Sequence, residues 1–295
     1  MTASEVVGRK AELDAIDGFL DRLALGPAAI AFEGHPGIGK TTMWSQVFER
    51  AAARSFAGLS CRPVQAEAKL AFASLADLLE PAADAILPHL PEPQRQALEV
   101  ALMRASPHGA LPSARAVATA ALSVLRRLAA AAPVVLAIDD QQWLDRASAE
   151  ALAFALRRIG EHRVGVLATT RVEDTAGRDP LALESAFAGR LECIRLGPLS
   201  LSGLHHVIRS QLDHVFPRPT LLRITDTSGG NPFFALELAR ALAEAEVRPV
   251  PGEPLPVPEV LSSLVQQRLD RLPARARDAL LVVSALSGPT VELVR

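Results

Sequence analysis

Cysteine is nearly absent: Cys61 and Cys193 are the only two in 295 residues. Two thiols cannot build a disulfide framework, and such sparing use points to a reducing, cytoplasmic setting. An excess of charge of either sign is also missing. Thirty-one basic residues face 33 acidic ones, giving a net charge of −2. Bulk electrostatics therefore gives this segment no grip on nucleic-acid phosphates. No apolar run is long enough to span a membrane; the best candidate, Leu128 to Ile138, is short and contains Pro133. The amino terminus has no basic-then-apolar leader. Apolar residues themselves are not scarce, at 49% against 22% charged, which excludes disorder as the dominant state. A chain of this length removes roughly three quarters of its unfolded surface from water, and reads as one large domain or a few smaller ones.

What is present is an alternation of short β-branched runs with longer Ala/Leu-rich helical patterns. That alternation predicts an α/β fold, a parallel sheet covered by helices. Leu13, Ile16, Leu20 and Leu23 line one face of a first helix. Ala28–Glu33 (AAIAFE) reads as a buried strand, Lys40 to about Ala53 as a helix, and Leu59–Ala66 as a second strand. Residues 67–132 read as helices interrupted around Pro88, Pro91, Pro93, Pro107 and Pro112. The continuous apolar run of Val134–Asp139 suits a central parallel strand, and Val164–Thr169 and Leu191–Leu196 are two more. After Gly197-Pro198 the strands stop, and three helices are expected between Leu199 and Glu246. Residues 247–258 hold five prolines and can be neither helix nor central strand. Two amphipathic helices are expected after Glu259, and the pattern breaks off at Arg295 as though another element were beginning. The expected divisions are a core over 1–197, a helical segment over 198–246, a connector over 247–258 and a further segment over 259–295.

One motif carries chemistry by its spacing. Gly34-His35-Pro36-Gly37-Ile38-Gly39-Lys40-Thr41-Thr42 fits G-x-x-x-x-G-K-[ST] between a predicted strand and a predicted helix. Small residues let the backbone wrap so that its N–H groups, with the helix N-terminus, surround phosphate oxygens. Lys40 supplies a mobile positive charge to the β and γ phosphates, and the Thr41 hydroxyl is a Mg²⁺ ligand. Such a loop needs an acidic partner at the end of another strand, and Asp139-Asp140 supplies two. We assign Asp139 to the metal and Asp140 to the attacking water; on spacing alone the pair could equally be solvated, or cap the next helix. Arg171 ends the next strand, on the edge where ligands sit in open α/β sheets. It could sense a γ-phosphate or simply form a surface ion pair. Val7-Gly8-Arg9 and Gly229-Gly230-Asn231-Pro232 fit a terminal turn and a helix start with proline in its first turn, and spacing does not separate those roles from nucleotide contacts.

The order VVGRKAELDAI, GHPGIGKTT, VVLAIDDQQWLD, VGVLATTR, LGPLS and SGGNPFFALELARAL resembles the ATPase module of large LuxR-type transcriptional regulators. That module belongs to the STAND group of signalling P-loop ATPases, related to AAA proteins, and the likeness runs from about Val6 to about Leu286. The resemblance implies a P-loop core, a helical lid and the start of a winged helix. It implies nucleotide contacts from Val7, Gly8, Arg9, Gly34, Gly37, Ile38, Gly39, Lys40, Thr41, Thr42 and Pro232. Thr41 and Asp139 would serve Mg²⁺, while Lys40, Asp140 and Arg171 would take part in catalysis, Arg171 as the sensor arginine. Trp143 is expected to pack and Asp145 to open the following helix. Gln142 stands where these proteins frequently carry histidine, and inherits no role.

The implied function is a signalling switch that binds ATP or ADP with Mg²⁺ and hydrolyses slowly, in the cytoplasm, answering an unknown inducer and self-associating with nucleotide. DNA would be contacted only by a carboxyl-terminal domain absent from these residues, so the chain reads as a fragment of a longer regulator. The alternatives are the same module joined to a nucleotide cyclase or kinase, and an ADP-locked scaffold that never turns over. No carboxylate–histidine metal set is evident; the adjacent His205 and His206 read as surface residues and both cysteines as buried small hydrophobes.

Overall fold

A computed structural model describes residues 6–106, 112–172, 179–244 and 274–285. The chain divides after Gly197 into two compact units. The first holds five strands: β1 (Ala28–Gly34), β2 (Ala57–Cys61), β3 (Val134–Ile138), β4 (Val164–Arg171) and β5 (Leu191–Arg195). They form one sheet in the order β2-β3-β4-β1-β5, every pairing parallel. Around it lie α1 (Lys10–Leu25), α2 (Lys40–Ala53), α3 (Ala73–Ile86), α4 (Glu92–Ala101), α5 (Ala114–Ala131), α6 (Arg146–Leu156) and α7 (Leu183–Ala186).

Side chains on a strand point alternately to opposite faces, and β3 shows why its run is apolar throughout. Val134, Leu136 and Ile138 join the cluster built with α3, α5 and α6. Val135 and Ala137 join the cluster that includes Phe19 and Leu23 of α1 and Met43 of α2. A strand covered on both faces has no position for a polar residue until it ends, and this one ends at Ile138, just before Asp139.

The second unit contains α8 (Leu201–Leu212), α9 (Arg218–Ser228) and α10 (Pro232–Glu244), the three helices expected there. Leu204, Ile208, Ile224, Leu238 and Leu242 form its core. α9 stops at Gly229 in the left-handed conformation, and Asn231 Oδ1 accepts the N–H of Phe233 at 3.1 Å to start α10. One more helix, α11 (Ala274–Ala285), is described.

The structure differs from the sequence expectations in several places. β2 ends at Cys61, five residues early, because Pro63 follows and has no N–H to give a ladder. β4 runs two residues further than its apolar pattern, to Arg171, which pairs with Gly34 of β1. Among the described residues no winged-helix element is evident: of 259–295 only α11 is described. The connector at 247–258 lies outside the described residues. Cys193 is exposed instead of buried, because β5 is an edge strand.

Cys61 is buried at the end of β2, where burial, and then the charges of Asp77, Asp145 and Asp139, push its thiol up to about 12. At about pH 8 the native chain should therefore take up one equivalent of a thiolate-specific reagent, slowly and at Cys193, with Cys61 labelled only after denaturation. Peptide mass spectrometry checks this; native labelling of Cys61 would contradict the burial.

Candidate functional site

Because all five strands are parallel, their carboxyl ends share one edge. β1 leads directly through the loop His35–Gly39 into α2. Gly39 has φ 107° and no neighbour within 4 Å of an added Cβ, so backbone conformation, not space, demands glycine there. At Gly34 the reason is contact: a Cβ would lie 2.7 Å from Ile38 Cγ2. Ile38 is buried in the core cluster beside α2, anchoring the loop from within while Gly37, Thr41 and Thr42 remain exposed. α2 starts without a side-chain cap, so its first-turn N–H groups and its dipole are available to an anion.

Lys40 is buried, and its Nζ donates to the carbonyls of Gly34 at 3.0 Å and His35 at 3.1 Å. The ammonium thus folds back over the loop that precedes it. Thr41 Oγ1 donates to Asp139 Oδ2 at 3.1 Å, joining two elements 98 residues apart. The other oxygen of Asp139 accepts the hydroxyl proton of Thr169 at 2.6 Å. A hydroxyl and a carboxylate facing each other are hard oxygen donors of the kind Mg²⁺ takes. Among the described residues no cluster of three or more His, Cys, Asp or Glu could hold a metal ion. That fits Mg²⁺, which uses one or two carboxylates together with substrate phosphates and water. Thr41 and Asp139 are the residues that would hold it.

Asp140 leaves the strand in a left-handed turn, φ 51° and ψ 53°, while its N–H donates to Thr169 Oγ1 at 2.8 Å. Arg171 grips its carboxylate with two bonds, Nη2 to Oδ2 at 2.7 Å and Nε to Oδ1 at 3.2 Å, and Gln142 Nε2 donates to Oδ1 at 3.1 Å. Burial opposes the charge on Asp140. The bonds from Arg171 and Gln142, with the charges of Arg171 and Lys40, outweigh burial and hold the carboxyl below its ordinary range.

Arg9 is buried, and its guanidinium is committed to protein acceptors: Glu12 at 3.0 Å, the Ile38 carbonyl at 2.9 Å and the Gly197 carbonyl at 2.8 Å. It braces the loop from below. Val7 is half-buried and Gly8 exposed beside it. Pro232 opens α10 in the second unit, after Gly230 with φ 74°.

Some partners were not legible from the motifs. Thr169 touches both acids, Gln141 Nε2 donates to Thr170 Oγ1 at 2.8 Å, and Gln142 holds Asp140. The available signal was polarity in the wrong place: hydroxyls and amides at the end of otherwise apolar strands need partners when buried. Asp145 opens α6 by accepting the Ser148 N–H at 2.9 Å, and it also accepts from Phe72 at 2.9 Å and Ser74 at 3.0 Å.

Among solved structures, the ORC2 protein of Aeropyrum pernix, in ADPNP and ADP complexes, is 18% identical over 99% of this chain and 79% of its own, with a TM-score of 0.59. A chain of the HORMA:CdnC:Trip13 complex of E. coli MS115-1 gives the second comparison: it is 14% identical over 88% of each chain, with a TM-score of 0.51. At such identities the likeness is one of fold. No curated protein matches the chain. Among the described residues no helix is long and apolar enough to cross a membrane. The family model for the AAA ATPase domain matches residues 5–167, more than half of the sequence, and the chain belongs to that family.

Proposed function

We propose that the chain is a Mg²⁺-dependent nucleotide switch that binds ATP or ADP at the loop Gly34–Thr42 and hydrolyses ATP slowly. The observation that carries the reading is the Thr41–Asp139 contact, which puts the metal-binding pair beside a buried lysine and an uncapped helix N-terminus. Lys40 would exchange its two loop carbonyls for phosphate oxygens, and the first-turn amides of α2 would bind the same group. Thr41 and Asp139 would hold Mg²⁺, whose charge would offset that developing on the phosphates. Asp140 accepts a proton from water as the water oxygen bonds to the γ-phosphorus and the bond to the ADP oxygen breaks. Arg171 reports the γ-phosphate. Arg9 enters as a brace for the loop and, on the resemblance alone, as a nucleotide contact. Val7, Gly8 and Pro232 are kept as nucleotide contacts on the resemblance alone.

A ligand must favour one state by about 5.5 kcal/mol to move a two-state balance from 1:99 to 99:1. Two to four charge-assisted phosphate contacts, at roughly 1.5–3 kcal/mol each, reach that figure. The setting we propose is a LuxR-type transcriptional regulator, supported by the order of its motifs, with nucleotide-dependent self-association and with DNA contact assigned to no residue of this chain. One observation favours the non-hydrolysing alternative: in this state Asp140 is fully engaged by Arg171 and Gln142. Phosphate release separates the two. Asp140→Asn should keep ATP bound while slowing release by about 10²-fold; release at the unchanged rate would remove Asp140 from catalysis, and no Mg²⁺-dependent release from the unaltered chain would favour the scaffold.

A further inference from the structure

Gln142 is a side chain that the motif reading leaves without a role. It lies in a single helical turn after β3, Gln141–Trp143, and is 8% exposed. Its amide is used on one side only. Nε2 donates to Asp140 Oδ1 at 3.1 Å, while Oε1 is buried with no hydrogen-bond partner. The orientation is fixed by charge, since turning the amide over would set its oxygen against a carboxylate. Leaving a buried acceptor unsatisfied destabilises the fold, and an apolar residue of the same length would avoid it. The amide is therefore retained at a structural cost, and the one group it demonstrably serves is Asp140.

The distribution of bonds on Asp140 shows what that service is. Oδ1 is shared between Gln142 and the weaker Arg171 contact, at 3.1 and 3.2 Å. Oδ2 is held by Arg171 alone among these contacts, at 2.7 Å. A carboxylate with both oxygens taken is a poor acceptor for a water proton. If Arg171 turns to a γ-phosphate, Oδ2 is released while Oδ1 stays tethered. The carboxylate then keeps its direction at the moment it gains a free oxygen.

We propose that Gln142 is a positioning residue for ATP hydrolysis, holding Asp140 Oδ1 so that Oδ2, occupied by Arg171 at rest, faces the attacking water once Arg171 leaves. This rests on the reading of Asp140 as the water-side acid. Misplacement of a reacting group by 1 Å is enough for about 10²-fold in rate, so a missing tether should appear in kcat and not in binding.

The test compares Gln142→Met, which keeps length and removes the donor, with Gln142→His, whose ring N–H can restore it. For Gln142→Met, kcat for phosphate release should fall about 10- to 100-fold, while KM and the calorimetric affinity for a non-hydrolysable ATP analogue stay within about twofold. Gln142→His should recover most of the lost rate. A purely structural amide predicts the reverse: the melting temperature and analogue affinity move together with kcat, or kcat does not move at all. Either result overturns the proposal, as does a histidine variant as slow as the methionine one. If Gln142→Met does not fold cooperatively, Gln142→Asn replaces it, because the shorter amide cannot reach Asp140 and adds no apolar bulk. If the unaltered chain releases no phosphate, the reading of Asp140 fails and this proposal falls with it. If the unaltered chain turns over and Gln142→Met matches its kcat, only the role of Gln142 is lost.

Discussion

Lys40→Ala is expected to abolish measurable nucleotide binding. Lys40 is 7% exposed, and its ammonium donates to two neutral carbonyls of its own loop. A triphosphate offers that charge a better partner at little reorganisation, because the side chain already lies over the loop. Two charge-assisted bonds lost at roughly 1.5–3 kcal/mol each correspond to at least about 10²-fold in affinity. The fold should tolerate the change, since the loop that Lys40 covers is partly exposed and water can replace its bonds to the carbonyls. Calorimetric titration with ATP and a thermal melt without ligand check both statements. The thermal signature is equally direct: ligand at 100 times its dissociation constant adds about 2.7 kcal/mol to the unaltered chain and nothing to the variant. Unchanged ATP binding by Lys40→Ala would remove the phosphate-loop assignment.

The second large effect concerns stability and lies away from the phosphates. α3 begins after Phe72, which sits in a left-handed conformation and has no side-chain atom that can cap a helix. Asp145, 73 residues later, supplies the missing acceptors to the N–H groups of Phe72 and Ser74 while also capping α6 at Ser148. It is 1% exposed, so water cannot take its place. Ser148 Oγ accepts the Leu75 N–H at 2.8 Å and completes the joint. One buried carboxylate thus faces two helix N-termini, where a negative charge is favoured. Asp145→Ala strands three backbone donors, each costing about 1–3 kcal/mol when buried. We expect a net loss of about 4 kcal/mol after relaxation and a fall in melting temperature near 10 °C. Asp145→Asn, which keeps one acceptor oxygen, should lose less than half as much. Calorimetric unfolding decides it; a shift under about 2 °C for the alanine variant would show that the two caps are not coupled through this residue.

How far the sequence foretold this site depends on how local each feature is. The phosphate loop is contiguous, and its glycines have causes that a motif encodes: a positive φ at Gly39 and a close contact at Gly34. The end of β3 was equally legible, since a strand buried on both faces makes its first carboxylates conspicuous. Features set by tertiary placement were not. The exposure of Cys193 follows from β5 being an edge strand, which strand order decides and local pattern does not. The commitment of Arg9 to the Ile38 and Gly197 carbonyls joins residues up to 188 apart. The pairing of Arg171 with Asp140 needs β4 beside β3, with Ile138 opposite Ala168 in register. Asp145 was expected to open one helix, and its second cap comes from the packing of α3 against α6.

We place nucleotide, as a proposal, at the carboxyl edge of the sheet, at Gly34–Thr42 with the acids that follow β3. Hydrogen exchange of the unaltered chain, with and without Mg²⁺ and a non-hydrolysable ATP analogue, tests both binding and place. New protection is expected at the amides from Gly34 to Thr42 and at Asp139–Asp140, with the latter lost when Mg²⁺ is chelated. No protection at the loop under saturating nucleotide, or protection confined to the opposite edge of the sheet, would contradict it.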